Sequence, residues 1–71
     1  MHLARVMKVL EAVATAGRPI TASEVQQLTD LPRPTCYRLL QSMQVEQLLD
    51  VVSSGRFIVG ESLGRLAILG Q

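Results

Sequence analysis

The sequence predicts a mainly α domain that ends in a small β-hairpin, and three features carry that prediction. Apolar residues recur at helical spacing through the first two thirds of the chain. A helix-capping signature stands between them at Thr21-Ala22-Ser23-Glu24. Leu48 to Val52 and Arg56 to Val59 then form β-branched or apolar runs on either side of Ser53-Ser54-Gly55. The 71 residues suffice for one domain, residues 1–71, with a marginal core. That core is aliphatic: 48% of the residues are apolar, mean hydropathy is +0.28, and the aromatics are Tyr37 and Phe57.

Leu3, Val6, Met7, Leu10, Val13 and Ala14 follow one helical face, with Arg5, Lys8, Glu11 and Thr15 on the other side. Gly17 and Pro19 close this first helix. Val9, Ala12 and Ala16 make a second strip of small residues, readable either as ordinary surface or as a contact between two copies of the helix. In the capping signature Thr21 is the N-cap and Glu24 the N3 residue, and Ile20 and Val25 occupy the hydrophobic-staple positions. A short second helix therefore runs from Ala22 to about Thr29, and Asp30-Leu31-Pro32 ends it. Arg33, preceding a proline, is expected outside the next helix, with Pro34 at N1 of a third helix over about Pro34–Glu46. There Cys36, Leu39, Leu40 and Met43 share one arc, and Pro34, Thr35, Tyr37, Arg38 and Gln41 lie on the rest. Tyr37 borders both arcs. The hairpin follows, and Glu61 to Leu69 reads as a closing helix with Leu63, Leu66 and Ala67 inward.

This order of helix, short capped helix, tight turn, helix and hairpin is that of a winged helix-turn-helix. Several function classes fall away. One cysteine forms no disulfide framework, and Cys36 with His2 is too few ligands for a usual zinc site. No run approaches the roughly 18 apolar residues of a membrane span, and Arg5, Lys8 and Glu11 are foreign to a signal peptide, so a cytoplasmic protein is expected. Catalytic residues, metals and cofactors are not expected: Cys36 and His2 lie on different elements, and Glu24, Asp30 and Glu46 have capping, turn or surface roles. Cys36 reads as a small core hydrophobe.

Seven cations against six carboxylates give a net charge of +1, so the distribution of charge decides. No acidic residue occurs between Asp30 and Glu46. Arginine reads guanine bidentately, glutamine can read adenine, and threonine or tyrosine hydroxyls reach bases or phosphates. Thr35, Tyr37, Arg38 and Gln41 are therefore the expected base readers, against the plainer reading of a solvated face. Thr21, Ser23, Arg33 and Arg56 are the expected contacts to the DNA backbone. One such module buries only about 600–1,000 Å² on DNA. Two copies on a pseudo-palindromic operator are thus expected, joined through Val9, Ala12 and Ala16 as a homodimer or higher homo-oligomer. A winged-helix module that docks a protein partner without binding DNA is the alternative.

Leu31-Pro32-Arg33-Pro34-Thr35-Cys36-Tyr37-Arg38-Leu39-Leu40-Gln41 resembles the L-P-x-S-T-x-x-R-L-L stretch of IclR-type bacterial transcriptional regulators. Arg5 to Glu11, the Leu48–Gly60 hairpin and Leu63-Gly64-Arg65-Leu66-Ala67 are similar to the same family, so the resemblance covers nearly the whole chain. It implies a DNA-binding domain that precedes a larger effector-binding domain. On that reading the chain is a fragment, and a small-molecule effector acts only through the absent C-terminal domain. The departures are Asp30 where the family commonly has Gly, Pro34 for a usual Ser, and Val51, Val52 and Ile58 at wing positions that are often charged. Arg56 is then the wing's only cation. The three apolar wing residues read either as hairpin stabilisation or as packing against a neighbour.

Overall fold

The computed structural model describes residues 3–61, 63 and 65. In chain order the elements are α1 (Leu3–Thr15), β1 (Ile20–Thr21), α2 (Ala22–Thr29), α3 (Arg33–Val45), β2 (Leu49–Val52) and β3 (Arg56–Val59). The strands form one antiparallel sheet in the order β1-β3-β2. The architecture is a winged helix-turn-helix.

The cap of α2 is formed as its residues require. The Glu24 N–H donates to Thr21 Oγ1 at 3.1 Å, and the Thr21 N–H donates to Glu24 Oε1 at 2.9 Å. Both staple residues, Ile20 and Val25, are buried in the core. The far end of α2 closes through Asp30, whose φ of 55° is left-handed and whose N–H bonds to Gln26 O at 3.0 Å. This is the αL termination with an aspartate in the place that glycine favours. Gln26 Nε2 donates to Leu31 O at 2.9 Å and ties the turn to α2.

α3 begins one residue earlier than the proline rule predicts. Pro32 is the N-cap, Arg33 is N1 and Pro34 follows within the first turn. The first bond of the helix runs from the Cys36 N–H to Pro32 O at 2.9 Å, so the N–H that Pro34 lacks is one the first turn never uses. At the other end the Gln47 N–H bonds to Gln44 O and the Leu48 N–H to Met43 O, a Schellman closure with Gln47 left-handed at φ 64°.

The hairpin pairs Leu49 with Val59 and Val52 with Arg56, and Ser54 and Gly55 supply its two positive φ values. β1, two residues long and unforeseen in the sequence, adds to β3 with Ile20 opposite Phe57 and Thr21 opposite Arg56. Gly60 is needed for close approach. A Cβ there would stand 2.2 Å from the Gln47 carbonyl oxygen.

Val9, Val13, Ile20, Val25, Leu31, Cys36, Leu40, Met43 and Leu49 form the core. Its position corrects the expected faces of α1. Val9 is 0% exposed, and Ala16, with Val6 and Leu10, packs against the core. Leu3, Met7 and Ala14, expected inside, are exposed. The cause is that α2, α3 and β3 all lie against α1, and its buried arc is centred on Val9 and Val13, flanked by Val6, Leu10 and Ala16. Val9, Ala12 and Ala16 therefore do not form an outer strip that a second copy could meet. Of the expected closing helix Glu61 to Leu69, Glu61, Leu63 and Arg65 have helical backbone, and the remainder, like His2, lies outside the described residues. The Glu61 N–H reaches Asp50 Oδ2 at 3.3 Å. None of the described helices is long and apolar enough to cross a membrane.

Candidate nucleic-acid interface

α3 divides into two halves. Cys36, Leu40 and Met43 are buried, and Leu39 packs beside them. Arg33, Pro34, Tyr37, Arg38, Gln41, Ser42, Gln44 and Val45 are exposed and together span the opposite half of the helix. Of the expected base readers, Tyr37, Arg38 and Gln41 stand on this half, whereas Thr35 is half-buried at its border. Tyr37 is 38% exposed, in keeping with its position between the arcs.

The electrostatics of this half are one-sided. It carries no carboxylate, and neither Arg33 nor Arg38 forms an ion pair with a described residue. The ion pairs lie elsewhere: Arg18 with Glu24 at 2.7 Å and Arg65 with Glu61 at 3.6 Å. Arg33 instead lies over the Tyr37 ring, with its guanidinium carbon 5.2 Å from the centroid. Sequence reasoning assigned these two residues separate tasks. The signal that could have joined them is the i, i+4 spacing on one helix.

The expected backbone contacts are partly regrouped. The β1–β3 register sets Arg56, which is exposed, opposite Thr21 and so beside the start of α2, where Ser23 is also exposed. The Thr21 hydroxyl is not available to a phosphate. It accepts from the Glu24 N–H and donates its single proton towards Glu24 Oε1 at 3.2 Å, which corrects the role expected of its side chain. Glu24 is thereby held anionic. The hydrogen bond from Arg18, and next that from the Thr21 N–H, lower its pKa from 4.5 to about 2. On the wing Val51 is exposed, and Val52 and Ile58 are half-buried.

No group of three or more His, Cys, Asp or Glu among the described residues could hold a metal ion. Cys36 is buried and unpaired, and burial raises its thiol pKa, which disfavours the reactive thiolate.

A family model described as the IclR helix-turn-helix domain matches residues 2–53. Among solved structures, the chain is similar to an IclR homolog of Microbacterium hydrocarbonoxydans crystallised with 4-hydroxybenzoate. That match has 32% identity and a TM-score of 0.87 and covers 97% of this chain and 29% of the other. It is also similar to the repressor BlcR of Agobacterium tumefaciens, with 32% identity, a TM-score of 0.82 and coverage of 93% and 26%. An IclR homolog of Microbacterium sp. strain HM58-2 gives 32%, 0.86, and 96% and 29%. The chain thus spans less than a third of the length of these proteins. Among curated proteins, no relative matches the sequence.

Proposed function

Since the chain belongs to the IclR helix-turn-helix family, we propose that it is the sequence-specific, double-stranded DNA-binding domain of a bacterial transcriptional regulator acting in the cytoplasm. The exposed half of α3 enters the major groove. Arg38 and Gln41 read base edges there, with Thr35 at the border of the contact. Arg56, which the β1–β3 register sets opposite Thr21 at the start of α2, and Ser23 in the first turn of α2 hold the phosphate backbone. The observation that carries this reading is the surface of α3: an exposed, acid-free half-helix whose two arginines have no carboxylate partner among the described residues. A solvent helix of this length ordinarily carries acidic residues to match its bases.

Two copies are required for tight binding to a pseudo-palindromic operator, because one module covers too little DNA. With Val9 interior, the large outward apolar residues of α1 are Leu3 and Met7, and these bring the copies together. An effector acts through a further domain such as the longer relatives have room for.

The test is titration of a labelled duplex of random sequence at several salt concentrations. Binding is expected to weaken steeply, with log affinity falling by roughly 0.9 per phosphate contact for each log unit of salt. Absence of binding, or binding indifferent to salt, would favour a protein-docking module instead.

A further inference from the structure

Arg33 sits at N1 of α3 and Tyr37 four residues on, and both are exposed on the half of the helix that carries Arg38 and Gln41. The Arg33 guanidinium carbon lies over the Tyr37 ring, 5.2 Å from its centroid. No described carboxylate or carbonyl takes any of its N–H groups. This cation–π contact therefore restrains the guanidinium beside the ring and leaves its donors unspent.

A restrained guanidinium suits one kind of acceptor better than another. A phosphate can be met from many directions and is served well by a mobile cation, as lysine shows. The N7 and O6 of guanine lie in the plane of the base and need two parallel N–H groups presented together. Base contacts in helix-turn-helix proteins come from the first turns of the recognition helix, where Arg33 and Tyr37 stand. Pro34, between them, has no N–H to compete for the same acceptors.

We propose that Arg33 reads a guanine in the major groove rather than a phosphate, and that Tyr37 is the positioning residue whose ring aims it. Tyr37 acts through its ring face; its hydroxyl is not required. This rests on the DNA-binding reading above and goes beyond it by assigning a second guanine contact besides that of Arg38.

The experiment selects binding sites from a randomised duplex library with the wild-type chain and with Tyr37→Phe, Tyr37→Leu and Arg33→Lys. Wild type and Tyr37→Phe are expected to select the same site. Tyr37→Leu and Arg33→Lys should each lose the preference for one and the same guanine, by about 5- to 150-fold, and keep the rest of the site. Retention of the other positions shows that the variants are folded. Combining Tyr37→Leu with Arg33→Lys should cost no more at that guanine than either alone. Loss of preference in Tyr37→Phe would overturn the proposal, because the hydroxyl would then be the contact. So would an equal weakening on all sequences in Arg33→Lys, the mark of a phosphate contact, or variant sites identical to wild type. A wild-type chain that enriches no sequence would overturn the DNA-binding reading itself.

Discussion

Arg38 stands exposed on the acid-free half of α3, without a carboxylate partner among the described residues. Replacing it with alanine should cost about 1–3 kcal/mol on the preferred site and relax one or two base positions, as measured by competition with single-base variants. An equal loss on every duplex would make it a phosphate contact. Glu24 is expected to contribute to acid stability. Its pKa, lowered from 4.5 to about 2 in the folded chain, means that it stabilises the fold fully above the ordinary carboxylate range. That contribution should disappear as pH falls from about 4.5 through 2, and Glu24→Gln should flatten the denaturation midpoint over this window. A wild-type profile no steeper than that of Glu24→Gln would count against the Arg18–Glu24–Thr21 cluster. The exposed positions of Arg38 and Gln41 are legible in the sequence because the core arc of α3 is apolar, which leaves their side of the helix by elimination. The Thr21 hydroxyl is harder to read, since the same residue type caps a helix and binds phosphate, and only its partner decides.

At the scale of elements, what can be read from the sequence follows the strength of the local signal. The capping box specifies α2, and the alternation around Ser53-Ser54-Gly55 specifies the hairpin. β1 leaves no trace, because two residues have no periodicity and their pairing with β3 is set by tertiary contact. Asp30 and Gln47 are left-handed helix ends without glycine, so the usual sign is missing at both. On α1 the apolar pattern covers more of the helix than the core does, and the neighbours choose which part is buried. Gly60 gives a sharp test of this level. Gly60→Ala would place a Cβ against the backbone oxygen of Gln47, which cannot rotate away as a side chain could. It should destabilise the domain by about 2–3 kcal/mol in chemical denaturation; an unchanged midpoint would mean that the Gln47–Leu48 segment yields freely. Arg56→Ala should instead leave stability unchanged and reduce the salt slope of DNA binding by about one unit. An unchanged slope would remove the wing from the interface.

For the whole molecule, the proposal that two copies bind together rests on the small footprint of one module and a net charge of +1. Leu3 and Met7 are 59% and 44% exposed on α1 and stand four residues apart, on one face of the helix. Met7→Glu should abolish cooperative filling of two half-sites in a gel-shift titration while preserving binding to one. Cooperative binding by that variant would place the dimer contact elsewhere. Methylation interference on the selected site tests whether α3 lies in the major groove. Methyl groups on guanine N7 project into that groove, so at the half-sites they should block binding, and Arg38→Ala should lose its sensitivity at one of those guanines. Full binding to duplexes methylated at every guanine N7, with interference only from modified phosphates, would contradict it.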